Sequence, residues 1–246
     1  MVSVRATFDA SPATASSRMP PQPPPLAPRT PSTWAPLALP VFRALWIAGL
    51  VSDLGAWMHG VGEGWLMTSL TASPRTVALL QAVDGAALFL FALPAGALAD
   101  IVDRRRLAIG VQLWLCLCAA SMAGLAAIGA LGPALLIAFA FAMGVGAALD
   151  EPLWQALTAE VVPRGALPAA VTLGGVSMNL ARSLGPALGG VVVAIAGPAA
   201  VFGLNALTFL WVMVALARLR PRKASSSVPA ERWVGAMAAG LRYVRH

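Results

Sequence analysis

Residues 107–149 run for 43 positions without an Asp, Glu, Lys or Arg. A soluble fold has little use for such a stretch, whereas a bilayer crossing needs about 20 predominantly apolar residues. The run is therefore too long for one crossing and suits two. The break belongs at Gly129-Ala-Leu-Gly132-Pro133, where Gly and Pro mark a turn. That predicts one helix over 107–128 and another over 134–159, with Asp150, Glu151 and Pro152 inside the second. Composition agrees: only 11% of the 246 residues are charged and 59% are hydrophobic. Soluble chains carry about a quarter charged residues.

The same logic places four more spans. Residues 42–70 form a first, interrupted by Asp53, His59 and Glu63, and 77–99 a second, carrying Asp84. Residues 167–196, with Arg182, form a fifth, and 200–217 a sixth, the turn falling at Ala196-Gly197-Pro198. The expected fold is an all-α membrane protein of six transmembrane helices over residues 40–219. Residues 1–39 read as a disordered, Pro-rich cytoplasmic tail without the apolar core of a signal peptide. Residues 220–246 read as a basic cytoplasmic linker. Within it Trp233, Met237, Leu241 and Val244 make the apolar stripe of a short amphipathic helix. Of the 17 Lys and Arg, all but Arg75 and Arg182 fall on one side of this arrangement. The positive-inside rule makes that side cytoplasmic and puts both termini there. The expected location is the cell inner membrane, multi-pass, with the lipid bilayer as first partner.

The net charge of +7 does not indicate nucleic acid, because the Arg residues sit between apolar spans. Cys116 and Cys118 are two apart on one helix and point to different faces, so neither a disulfide nor a metal site is expected. His59 and His246 lack zinc spacing, and no P-loop Gly-Lys-Ser/Thr occurs. The chain reads as no enzyme, with no cofactor and no metal.

Two segments carry more specific information. Between spans 2 and 3 stands Gly96-Ala-Leu98-Ala99-Asp100-Ile-Val-Asp103-Arg104-Arg105-Arg106. Small residues permit close backbone approach there, and the Arg residues hold the loop at an anionic leaflet. In span 5 stands Arg182-Ser-Leu-Gly185-Pro186-Ala-Leu-Gly189-Gly190. Glycines four apart give a helix one bare face for close packing, and neighbouring helices tolerate the kink of Pro186 in lipid.

The first segment resembles the loop 2–3 pattern of the major facilitator superfamily, Gly-x-Leu-Ala-Asp-Arg-x-Gly-Arg-Arg/Lys. Gly96, Leu98, Ala99, Asp100, Arg104 and Arg105 match, while Ile101 replaces a basic residue and Asp103 a Gly. The second is similar to the antiporter pattern Gly-Pro-x-x-Gly-Gly on the fifth helix of that superfamily. Phe42-Arg43-Ala-Leu-Trp46, Gly64-Trp65-Leu66-Met67, Glu151-Pro152-Leu-Trp154-Gln155 and Gly240-Leu-Arg242-Tyr243 resemble its transmembrane secretion effector branch, which includes enterobactin-type exporters. The resemblance implies twelve spans in two halves, each a 3+3 inverted repeat, of which this sequence supplies the N-terminal half. It implies proton-coupled export of a small hydrophobic or siderophore-like molecule, with a second half-transporter or a homodimer as partner. Asp100 and Arg104 would then latch the cytoplasmic gate, and Gly185, Pro186, Gly189 and Gly190 would form a hinge or seal. The alternative is a truncated, transport-incompetent membrane protein that only packs with partners.

Charges inside spans cost several kcal/mol unless they face a cavity or a partner. Asp53, His59, Glu63, Asp84, Asp150 and Glu151 are accordingly the candidate proton or substrate groups. His59 and Glu63 are four apart and able to pair. By a rise of ~1.5 Å per residue, Asp84 and Arg182 each lie roughly 22 Å from the cytoplasmic ends of their helices, and Asp53 about 16 Å. Asp84–Arg182 is therefore the first expected ion pair and Asp53–Arg182 the second.

Overall fold

The computed structural model describes residues 32–218. The bulk of the Pro-rich tail and the basic linker with its amphipathic helix lie outside the described residues. So do the side chains of Leu93, Ala97, Ala99, Asp100 and Ile101. Among the described residues there are helices and no strand: α1 Pro40–Leu70, α2 Pro74–Ile101, α3 Arg104–Ala127, α4 Pro133–Val161 and α5 Leu167–Arg218. All five contain stretches apolar and long enough to cross a membrane.

Helix starts follow local chemistry. Pro stands in the first turn of α1, α2 and α4, where no amide donor is needed. Asp103 caps α3 by accepting from the Arg106 amide at 3.0 Å. Gly129, at φ 69°, ends α3 in a left-handed conformation. The Ala130 amide reaches back to the Leu125 carbonyl and the Gly129 amide to that of Ala126, which satisfies the last turn. A 3-10 turn, Ala35–Ala38, falls inside the stretch read as tail. Leu37 within it and Leu39 just after it pack on the cluster of Phe42, Val162, Ala170 and Leu173, so the packed structure includes a few residues before the first span.

The 52 residues of α5 would make a rod of about 78 Å at the α-helical rise. Gly197 interrupts it with φ 79° and ψ 173°. We treat residues 167–196 as the first arm and 198–218 as the second.

Packing is organised by small residues. α1 lies against both arms of α5, and α4 lies against α2 and α3. A Cβ placed on Gly189 would stand 2.9 Å from Cα of Met58, and one on Gly185 would collide with Trp57. Gly55 makes room for Asn205 and Thr208, and Gly62 for Phe202. Across the bundle, Gly144 of α4 accepts Ala87 and the Asp84 backbone of α2. One apolar core, with Leu45, Ala108, Leu157 and Leu216, lies toward the end carrying Arg104–Arg106. Another, with Met67, Met122, Leu136 and Phe202, lies toward the opposite end. Outward faces stay apolar: Phe89 is 83% and Ile195 81% exposed, as lipid-facing positions require.

Candidate functional site

α1, α4 and the first arm of α5, with Gln112 of α3 and Val212 of the second arm, line a cavity of about 630 Å³. Its walls carry Asp53, Asp150, Glu151, Gln112, Ser177 and Gln155 among apolar residues that include Trp46 and Trp154. The acids reach it from two helices. Asp53 lies midway along α1, and Asp150 and Glu151 stand just before Pro152 of α4. Each carboxylate accepts one neutral hydrogen bond. Ser177 Oγ donates to Asp53 Oδ2 at 3.1 Å. Gln112 Nε2 donates to Asp150 Oδ1 at 2.8 Å. Gln155 Nε2 donates to Glu151 Oε1 at 2.8 Å, one turn along α4. Asp53, Asp150 and Glu151 are also one another's electrostatic neighbours. Trp154 reaches α1 across Gly49, where a Cβ would stand 2.7 Å from its ring. Trp46 donates its indole N–H to the Leu173 carbonyl at 2.9 Å, tying α1 to α5.

A second charged group lies farther along α1. His59 Nε2 is 3.3 Å from Glu63 Oε1, so the two meet as their spacing predicts. Neither His59 nitrogen has hydrogen-bond geometry to a described partner, and the ring packs on Phe202 at 4.6 Å. Glu63 and His59 are the electrostatic neighbours of Asp84, which is exposed on α2.

The ion pairs expected with Arg182 do not form. Arg182 is exposed and donates to Asn179 Oδ1 at 2.8 Å, on its own helix. Asp84 instead faces α4, where a Cβ on Gly144 would meet its Oδ1 at 3.2 Å. Equal depth places two residues at one height but says nothing of the direction each faces around its helix. α2 packs on α4, not on the arm that carries Arg182.

The loop between α2 and α3 joins helix ends. Arg104 Nη1 donates to Glu160 Oε1 at 2.8 Å, linking the start of α3 to the end of α4. Arg105 donates from Nε to the Leu216 carbonyl at 2.9 Å and from Nη2 to that of Ala217 at 2.7 Å. It thereby ties the start of α3 to the last described turn of α5. Gly96 and Leu98 are half-buried at the end of α2, and the side chain of Asp100 lies outside the described residues. Gly185 and Gly189 form the seam with α1, while Gly190 faces open space and Pro186 is part-buried. Cys116 and Cys118 are free thiols.

Sequence reasoning missed Gln112, Ser177, Trp46, Trp154 and Gln155 as cavity residues, and Glu160 as the partner of Arg104. One signal was present: Gln112 is the sole amide side chain within the uncharged run 107–149.

Comparison with known proteins agrees with this architecture. The family model described as transmembrane secretion effector matches residues 31–246. The enterobactin exporter EntS of Shigella flexneri is 26% identical over 208 residues, covering 83% of this chain and 50% of that protein. The staphyloferrin A transporter of Staphylococcus aureus is 26% identical over 149 residues, covering 58% of this chain and 36% of that protein. The chain thus spans half or less of the length of these curated relatives.

Proposed function

The chain belongs to the transmembrane secretion effector family of major facilitator transporters, and from that premise we propose that it forms one half of a proton-coupled exporter of small amphipathic molecules. The observation that carries this reading is the polar cavity holding Asp53, Asp150 and Glu151 inside an otherwise apolar bundle. Carboxylates are kept at membrane depth where they meet substrate, ion or proton. Asp53 carries the exchanged proton, released toward the cavity as substrate arrives. His59, Glu63 and Asp84 continue the route along α1 and α2.

In this reading α5 crosses twice, folded at Gly197, and the bundle has six crossings with both termini cytoplasmic. The pairing of helices supports a 3+3 repeat. The first crossing packs on the fifth and sixth as the fourth packs on the second and third, the relation expected when two three-helix units are exchanged by a pseudo-two-fold axis. Arg104 and Arg105, tied to Glu160 and to the end of α5, hold the basic ends of this half together as a unit while it rocks. Gly185 and Gly189 seal α5 on α1.

The test is efflux from a pump-deficient host in which this chain is co-expressed with a complementary six-helix half. Export should stop when an uncoupler collapses the proton gradient and should be lost in Asp53→Asn. Export that persists without a proton gradient would overturn proton coupling.

A further inference from the structure

The cavity has acid acceptors and, among the described residues, no cationic donor to answer them: its uncommitted donors, the Ser52 and Thr158 hydroxyls and the Trp154 indole N–H, are all neutral. Ser177, Gln112 and Gln155 each spend a donor on one carboxylate oxygen. The remaining oxygens, Asp53 Oδ1, Asp150 Oδ2 and Glu151 Oε2, accept no hydrogen bond from the described residues. Gln112 is only 1% exposed, and its Oε1 is buried without any partner. A buried acceptor left unmatched is costly, so this atom awaits a donor that the described residues do not supply. Trp46 has committed its N–H to Leu173 and offers its ring alone. Among the described residues, no Lys, Arg or His lines the cavity. Arg182, one turn past Met178 on α5, is outside the lining and engaged by Asn179.

Resting on the transport reading above, we propose that this cavity takes an organic ammonium ion with an aromatic or apolar body. Its N–H groups answer the surplus acceptors of Asp53, Asp150 and Gln112, and its body lies against Trp46 and Trp154. Indole rings attract cations through their π faces as well as offering apolar area. A polycarboxylate would add negative charge beside three carboxylates and bring no donor for Gln112. The same surface that favours the cation therefore rejects the anion.

The experiment is equilibrium binding to the purified full chain, read by tryptophan fluorescence. Three probes are compared: dansylcadaverine, a primary ammonium on an aromatic body; its N-acetylated, neutral analogue; and citrate. The ammonium should bind about tenfold tighter than the neutral analogue, the value of one charge-assisted hydrogen bond. Citrate should not compete. Asp53→Asn, and separately the milder Glu151→Gln on the exposed side of the wall, should each weaken the ammonium severalfold and leave the neutral analogue unchanged. Circular dichroism and detergent sizing verify that each variant is folded. If the neutral analogue binds as tightly, or citrate displaces the probe, the cation assignment fails while the cavity stands as a binding site. If no probe binds to well-folded protein, both the assignment and the reading of this cavity as the transport site fall.

Discussion

Trp154 and Gly49 show how much one residue decides. The indole lies over α1 only because position 49 has no side chain, and it forms part of the cavity wall. Gly49→Val would push the ring into the space a ligand needs. Since the ring is only part-buried, it has room to turn without unfolding the helix. We expect Gly49→Val to keep near-normal folded yield yet lose most binding, checked by detergent sizing alongside probe titration. Asp53 differs from Glu63 at the same scale. Asp53 is bridged to another helix by Ser177, whereas Glu63 is answered by His59 on its own. Ser177→Ala should therefore loosen α1 from α5 by about 1 kcal/mol, the net worth of an ordinary hydrogen bond. A matching fall in thermal midpoint would show it, and no change would mean that the bond carries nothing.

At the scale of elements, the α1–α5 seam depends on bare backbone. Gly185→Leu or Gly189→Leu inserts a side chain where Trp57 and Met58 already stand. Overpacking of this kind costs about 1–3 kcal/mol. Both variants should lower folded yield in membranes, while Gly190→Ala, facing open space, should not. Equal tolerance at all three positions would remove the seam from the account. The basic ends give a second case. Arg105 donates to two carbonyls in the last described turn of α5, and losing it in Arg105→Gln should cost about 1 kcal/mol, toward the low end for charged donors because the site is partly solvated. Differential scanning in detergent should show a lower midpoint, and hydrogen exchange should rise in the last turn of α5.

For the whole molecule, topology is the first question. A folded α5 with six crossings predicts that reporter fusions after Arg75 and after Gly197 score periplasmic, and one after Arg105 cytoplasmic. A cytoplasmic score at Arg75 would reverse the orientation. The second question is completeness of the transport unit. The cavity opens among the helices of this bundle, and in the six-crossing reading the bundle is one half, with major facilitator sites lying between two such halves. Without a facing half, Glu151 and Arg182, both exposed, would meet lipid at a cost of several kcal/mol each. A polypeptide of residues 1–246 expressed alone should therefore self-associate and show no coupled export, and a complementary half should restore it. Robust efflux from a verified monomer would defeat the two-half mechanism.

Hydropathy is a local property, and local properties were legible. The uncharged run, the break at Gly129 and the turn at Gly197 all emerged at the predicted positions, and helix bounds agree within a few residues. Backbone groups in lipid must be satisfied within the helix, which leaves a long apolar segment one conformation. The His59–Glu63 contact was legible too, because both residues ride on one helix whose period fixes their spacing. Partners across helices were not. Ser177 with Asp53, Gln112 with Asp150, and Arg104 with Glu160 each depend on which helix packs on which and on its rotation about its own axis. Sequence sets the height of a residue in the membrane; the direction it faces is decided by small-residue seams such as Gly185 on Trp57 and Gly144 on Ala87. The expected Asp84–Arg182 pair failed for that reason. The cavity that replaced it is a property of the packed bundle, assembled from four helices, and no segment contains it alone.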